Sequence, residues 1–181
     1  MLGTVPAAVA GWLLEEQVER LFGDIRLVGV GLIATAVVLT LISRLRGKKR
    51  EAEMGWREAL IVGMMPALAL PPGVSRSGMT IAGALMAGLE REWAVRFAFL
   101  LSVPVVLGGS VLEAVHVLHG EASAAFSPWL YLAGTGLAAA SGYAAIALVT
   151  DSVRRGNLLY FALYCLGLGL AAVFVGPAVG L

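Results

Sequence analysis

The stretch PPGVSRSGMT, residues 71–80, places an arginine and two serines inside one of the most apolar regions of a chain of 181 residues. Its prolines and first glycine interrupt a helix, because proline has no backbone N–H and glycine favours turns. Of the whole chain, 59% is apolar and only 14% is charged, whereas a typical soluble domain carries about 25% charged residues. Together with a mean hydropathy of +0.88, this composition predicts an all-α, multi-pass integral membrane protein with no nucleic-acid partner.

Long apolar stretches lie on both sides of the break, and each can cross a bilayer if tilt is allowed. They are residues 27–43, 97–112, 122–150 and 156–181. Between the first two lie two shorter arms, residues 59–75 and 77–89, which Arg76 separates and which prolines and glycines interrupt. We therefore predict one integral membrane domain, residues 1–181, in which residues 97–181 form the C-terminal spans.

The positions of lysine and arginine indicate how the two arms are arranged. Basic residues are concentrated in segments 44–58, 90–96 and 151–155, whereas segment 113–127 has none. Cytoplasmic loops of membrane proteins carry an excess of Lys and Arg. If residues 59–89 enter and leave on the same side, all three basic segments fall on one face. We therefore predict that residues 59–89 form a re-entrant helical hairpin, entered from the cytoplasm, with the quoted stretch at its tip.

The tip is predicted to bind an anion. A fresh helix begins after the Pro-Pro-Gly break, and its first N–H groups have no intrahelical partner. Ser75 or Ser77 suits the N-cap, Thr80 follows within the first turn, and the guanidinium of Arg76 can fork onto phosphate oxygens. The alternative is that Arg76 pairs with a carboxylate and only pins the hairpin. The hairpin itself has no carboxylate, and Glu113 is the acidic residue within reach of membrane depth.

The region around the tip also resembles a known family. The run LALPPGVSRSGMTIAGALMAGLEREWAVRFAFLLSVPVVLGG, residues 68–109, is similar to the second signature region of the undecaprenyl-diphosphate phosphatase (bacitracin-resistance) family. The hallmark of that region is a Pro-Gly-x-Ser-Arg-Ser-Gly loop followed by Thr. The opening LGTVPAAVAGWLLEEQVERLF, residues 2–22, and the final spans resemble the family as well.

The resemblance implies a membrane phosphatase of the bacterial inner (plasma) membrane. Its substrate would be the polyprenyl lipid undecaprenyl diphosphate, and its product undecaprenyl phosphate would be recycled as the lipid carrier of cell-wall synthesis. It also implies inverted-topology repeats, with residues 1–43 as the remnant of an incomplete first repeat. The catalytic positions carried over are Ser75, Arg76 and Thr80. The phosphate-binding positions carried over are Gly73, Ser75, Arg76, Ser77 and Gly78.

The sequence departs from the family pattern in two places. Pro66 stands where the family has a glutamine. The other signature region, a glutamate-rich helix with a Ser-Ser-Thr-Gly-His loop, has no counterpart here. Those residues would bind the divalent cation, Mg or Ca, that the resemblance implies, so we assign no metal ligand in this chain. We expect that the sequence is truncated or was assigned too late a start; the alternative is a reduced relative that works with another chain. We also expect the 181 residues alone to be nearly inactive. A homodimer is left open.

Other interpretations stay open at this stage. The same tip could belong to a lipid-phosphate or anion transporter or flippase, because broken helices at mid-depth are also a transporter feature, or to an inactive relative. His116 and His119, with Glu113, could hold a metal ion or mark the outer membrane interface. The small pair Gly31 and Thr35, four residues apart, predicts close helix packing without a specified partner.

Overall fold

The computed structural model describes residues 21, 23–50, 53–119 and 128–176, and these ranges are helical apart from short connections. The all-α fold class is therefore confirmed for the described residues. The helices are α1 (Ile25–Ile42), α2 (Trp56–Leu68), α3 (Arg76–Met86), α4 (Arg91–Leu118), α5 (Pro128–Arg155) and α6 (Leu158–Phe174).

Among the described residues, three helices are long and apolar enough to cross a membrane: Ile25–Ile42, Arg91–Val115 and Trp129–Arg155. Helix α6 is also apolar but shorter, with 17 residues. These helices correspond to the four predicted apolar stretches, and the chain is a membrane helix bundle. The run before residue 21, on which the expectation of a truncated start depends, lies outside the described residues.

Helix α4 begins earlier than the apolar stretch 97–112 predicts. Its first turns contain charged residues, and Arg96 Nη2 donates to Glu92 Oε1 at 2.6 Å, one helical turn back. Such a pair stabilises a helix at its polar end. A boundary drawn at the last charge therefore misses the part of the helix that leaves the apolar layer.

Helices α1 and α6 are antiparallel and in close contact. A methyl group built on Gly29 would meet the carbonyl oxygen of Gly169 at 2.8 Å, and one built on Gly169 would meet the carbonyl of Gly29 at the same distance. The absence of side chains at both positions lets the two backbones approach, which is how membrane helices gain van der Waals contact.

The loop after α1 lies beside the second end of the predicted hairpin. The N–H groups of Lys48 and Lys49 donate to the carbonyl of Gly88 at 3.0 and 2.9 Å, and the N–H of Glu90 donates to the carbonyl of Lys49 at 2.9 Å. Lys49 and Leu89 form a parallel β-bridge. The chain therefore returns from the tip to the loop that precedes α2, as a re-entrant hairpin requires, and the depth of the hairpin in the membrane stays a prediction.

Side chains of several loops join at the same end of the bundle, which we call the basic end (residues 43–58, 87–96 and 151–157). Arg91 donates from Nη2 to the carbonyl of Ser43 at 2.6 Å and from Nε to the carbonyl of Leu45 at 3.2 Å. Lys49 Nζ lies 2.9 Å from Glu58 Oε1, and this hydrogen bond lowers the pKa of Glu58. These bonds tie the start of α4 and the start of α2 to the loop after α1.

The hydrophobic core is concentrated beside the basic end. Residues from all six described helices contribute to it, whereas nearly all of residues 102–111 of α4 and 129–148 of α5 are exposed in the single chain. In a membrane protein such surfaces face lipid or further protein. The fully buried large side chains of the core include Ile42, Val62, Leu89, Val95 and Val153.

Candidate anion-binding site

The tip joins α2 to α3 through a tight turn. The N–H of Ala69 donates to the carbonyl of Pro66 at 3.1 Å, and the N–H of Val74 donates to the carbonyl of Pro71 at 3.2 Å. Gly73 follows with φ +84°, a left-handed conformation that strains any residue with a Cβ. The predicted Pro-Pro-Gly break is therefore a real reversal of the chain between the two arms.

The turn rests directly on α1. A methyl group built on Gly31 would collide with the carbonyl oxygen of Pro72, and one built on Gly73 would collide with the carbonyl oxygen of Val28. Both obstacles are backbone atoms, which cannot rotate away. The close packing that the small residues of α1 predicted is thus confirmed for Gly31, and its partner is the tip.

Helix α3 starts at the tip with an ordered N-cap. Ser75 Oγ accepts from the N–H of Gly78 at 3.1 Å, and the carbonyl of Ser75 accepts from the N–H of Met79 at 2.9 Å. Ser77 Oγ lies 3.4 Å from Ser75 Oγ. Of the two N-caps considered from the sequence, the structure has Ser75. The N–H groups of Arg76 and Ser77 donate to no acceptor in the described part of the chain and so remain available to an anion.

Arg76 is the first residue of α3, and its side chain is exposed. Within residues 21–119 and 128–176, insofar as these are described, it forms no ion pair or hydrogen bond through its guanidinium. The guanidinium, two free amides and the hydroxyls of Ser75 and Ser77 thus belong to one helical turn. All of these groups can donate a hydrogen bond, which suits phosphate oxygens.

The other predicted site residues have different surroundings. Gly78 is buried within the first turn, where a methyl group would meet Ser75 Oγ at 3.0 Å. Thr80 is 4% exposed, and its hydroxyl donates to the carbonyl of Arg76 at 2.8 Å. The structure therefore brings Ser75, Arg76 and Ser77 together, while Thr80 supports the helix turn beneath them.

One residue of the site was not predicted from the sequence. Thr35 Oγ1 donates to the carbonyl of Gly73 at 3.2 Å and accepts from the N–H of Ser75 at 3.0 Å. The sequence indicated Thr35 as a small packing residue four positions after Gly31. That spacing showed which face of α1 is closely packed, but it contained no signal that the hydroxyl binds the tip.

The described residues do not fit a divalent cation. No group of three or more His, Cys, Asp or Glu side chains that could hold a metal ion occurs among the residues searched. The tip offers hydrogen-bond donors, whereas Mg²⁺ and Ca²⁺ bind oxygen ligands such as carboxylates. Glu113 and His119 are exposed, and His119 Nδ1 lies 2.8 Å from the carbonyl oxygen of Val115. The side chain of His116 lies outside the described residues.

Comparison of the sequence with known proteins identifies its family. The sequence matches the family described as bacitracin resistance protein BacA over residues 1–171. The chain belongs to the BacA family. It is 39% identical over 174 residues to the undecaprenyl-diphosphatase of Methanothermobacter thermautotrophicus, covering 94% of each protein. It is 37% identical over 175 residues to undecaprenyl-diphosphatase 1 of Bacillus licheniformis and 35% identical over 171 residues to undecaprenyl-diphosphatase 1 of Bacillus cereus.

The lengths of these BacA relatives differ. The alignments cover 96% and 94% of this chain but only 64% of the B. licheniformis protein and 63% of the B. cereus protein. The chain thus spans less than two thirds of the two Bacillus relatives and nearly all of the Methanothermobacter protein. The resemblance to this family that the tip sequence suggested is confirmed.

Proposed function

We propose that this chain forms the phosphate-binding part of a membrane phosphatase that hydrolyses undecaprenyl diphosphate to undecaprenyl phosphate and inorganic phosphate. The carrying observation is the exposed Arg76 at the start of α3, beside two amides that have no acceptor among the described residues. Relatives named undecaprenyl-diphosphatase support this choice of substrate. The proposed place of action is the bacterial plasma membrane, where the product would serve again as the lipid carrier of cell-wall synthesis.

The reaction breaks the anhydride bond between the two phosphates. Oxygen from water forms a new bond to the terminal phosphorus, and the bridging oxygen leaves with the lipid phosphate. Negative charge on the phosphoryl oxygens is stabilised by donors that are already in position. In the proposal, Arg76 and the amides of Arg76 and Ser77 do this, while Ser75 orients one oxygen.

The proposed position of the tip follows from the hairpin. If the basic end is cytoplasmic, residues 59–89 enter and leave there, and the tip lies at membrane depth. Irregular backbone at that depth must be covered by protein or reached by water. Helix α1 covers one side of the tip at Gly31, and the exposed side of Arg76 would face the substrate.

Two finer features stay predictions. A divalent cation would offset phosphate charge, but no step is assigned to it because the described residues offer no carboxylate set for it. The homodimer left open by the sequence is tested by the molar mass of the protein in detergent.

The test is phosphate release from undecaprenyl diphosphate by the full product of the gene that encodes this sequence. Arg76→Lys keeps the charge and loses the two-pronged fork, so turnover should fall at least about tenfold, or about 1.4 kcal/mol of transition-state stabilisation. Ser75→Ala and Thr80→Ala should also lower turnover, because the first removes a contact to the ligand and the second removes the hydroxyl bound to the carbonyl of Arg76.

His119→Ala is the matched control, since His119 is exposed at the end of α4 and should leave turnover unchanged. Wild-type turnover in Arg76→Lys would make Arg76 a structural residue and contradict the proposal. Movement of intact lipid diphosphate across the bilayer without phosphate release would favour the transporter instead.

A further inference from the structure

Two polar side chains are buried in the described part of the chain, Thr35 and Thr80, and Thr35 is 3% exposed. Threonine inside a helix commonly donates to the carbonyl four residues earlier. Thr40 does so to Ala36 at 2.8 Å, and Thr150 does so to Ile146 at 2.7 Å. The hydroxyl of Thr35 departs from this pattern, because both of its hydrogen bonds are to backbone groups of the tip, outside its own helix.

Both hydrogen-bonding functions of this hydroxyl are in use. It donates to the carbonyl of Gly73 and accepts from the N–H of Ser75, on either side of Val74. Only a side chain with a hydroxyl can donate and accept in this way at one atom. Valine has nearly the same shape as threonine but would leave both backbone groups without this partner.

The bond to Ser75 completes the attachment of the N-cap. The N–H of Ser75 is held by Thr35, its Oγ is held by Gly78, and its carbonyl is held by Met79. The next two residues supply the free amides and the guanidinium. The hydroxyl oxygen of Thr35 therefore fixes the direction of these donors relative to α1. Thr35 lies one helical turn beyond the contact at Gly31.

We propose that Thr35 is a positioning residue of the phosphate site, which fixes the direction of the amides of Arg76 and Ser77 by holding the backbone on both sides of Val74. The proposal rests on the proposed function of the tip. Thr35 itself is buried and acts through Ser75, without touching the substrate. A role in packing alone would make the loss of activity follow the loss of folded protein, whereas positioning separates the two.

The experiment compares Thr35→Val, Thr35→Ser and Thr40→Val in the full gene product. We expect Thr35→Val to lower kcat/KM for undecaprenyl diphosphate at least about fivefold per folded molecule, with the folded fraction measured by size-exclusion chromatography. Thr35→Ser keeps the hydroxyl and should return within about twofold of wild type. Thr40→Val removes a hydroxyl that bonds only within α1 and should change nothing.

Calorimetric titration with inorganic diphosphate separates this proposal from the proposed function. Thr35→Val should weaken that binding, and Thr35→Ser should restore it. If the wild type binds diphosphate without releasing phosphate from the lipid, the proposed phosphatase function is wrong. The calorimetric comparison of the variants then still tests the positioning role of Thr35. Wild-type behaviour of Thr35→Val, or a Thr35→Ser variant as impaired as Thr35→Val, would overturn the positioning role. A wild type that neither binds nor hydrolyses would overturn both.

Discussion

The basic end and the tip use arginine in opposite ways. At the basic end, two of the three guanidinium nitrogens of Arg91 donate to backbone carbonyls, and Arg96 and Arg154 both lie near Glu92. At the tip, Arg76 has no acidic partner among the described residues, although the backbone around it is held tightly. A guanidinium that the protein already satisfies joins segments together. One that it leaves unsatisfied on an ordered backbone is available to a ligand.

The largest expected effect concerns which face of the membrane each region occupies. In a Cys165→Ser background, single cysteines at positions 48 and 90 should react with a membrane-impermeant maleimide from the same side. These positions flank the backbone hydrogen bonds between Lys49 and Gly88. A cysteine at position 119 should react only from the other side, because the 28 residues of α4 span about 42 Å.

Labelling of positions 48 and 90 from opposite sides would contradict the distinction between the basic end and a re-entrant tip. The segment between them would then cross the membrane once, and the tip would not be a re-entrant turn. Labelling of position 119 together with the other two would instead show that α4 does not cross. Each outcome is all-or-none.

The next effect concerns the tight backbone of the tip. Gly31→Ala should lower the free energy of unfolding by about 1 to 3 kcal/mol, because the new methyl group meets the carbonyl of Pro72. Gly134→Ala is the matched control on α5, where no atom lies within 4 Å of the added methyl group. It should be neutral or slightly stabilising. Thermal unfolding in detergent measures both.

Hydrogen exchange of residues 69–78 locates the effect. Faster exchange in Gly31→Ala would show that the tip has moved away from α1. Unchanged exchange and stability would mean that the added methyl group is accommodated without cost, and the tight contact between Gly31 and the carbonyl of Pro72 would be refuted.

Local features of the tip could be predicted from the sequence. The break at Pro71–Gly73, the fresh helix and a serine N-cap follow from residues that are adjacent in the chain, and propensity describes such neighbours well. The four apolar stretches could also be predicted, because a helix that crosses the hydrocarbon core of a bilayer needs a long run of apolar residues. The family resemblance added the choice of substrate, which no hydrogen bond at the tip specifies.

The contribution of α1 could not be predicted. Thr35 meets the tip through bonds to residues 38 and 40 positions away, and a single sequence does not show which distant segment packs on a small residue. The role of Arg91 was hidden for the same reason. Its charge marked a cytoplasmic loop, whereas its two hydrogen bonds to the end of α1 depend on how the loops meet.

The smallest effect tests whether the two arginines can be exchanged in role. Arg91→Lys should lower the free energy of unfolding by about 0.5 to 1.5 kcal/mol, because an ammonium cannot reproduce the fork that binds the carbonyls of Ser43 and Leu45. Turnover per folded molecule should stay near wild type.

Arg76→Lys should show the reverse, with unchanged stability and reduced turnover. Arg57→Lys, at an exposed side chain stacked 5.3 Å from the ring centre of Trp56, is the control and should alter neither. If Arg76→Lys destabilised the protein as much as Arg91→Lys, the guanidinium at the tip would be a second structural clamp, and the distinction between the two regions would fail.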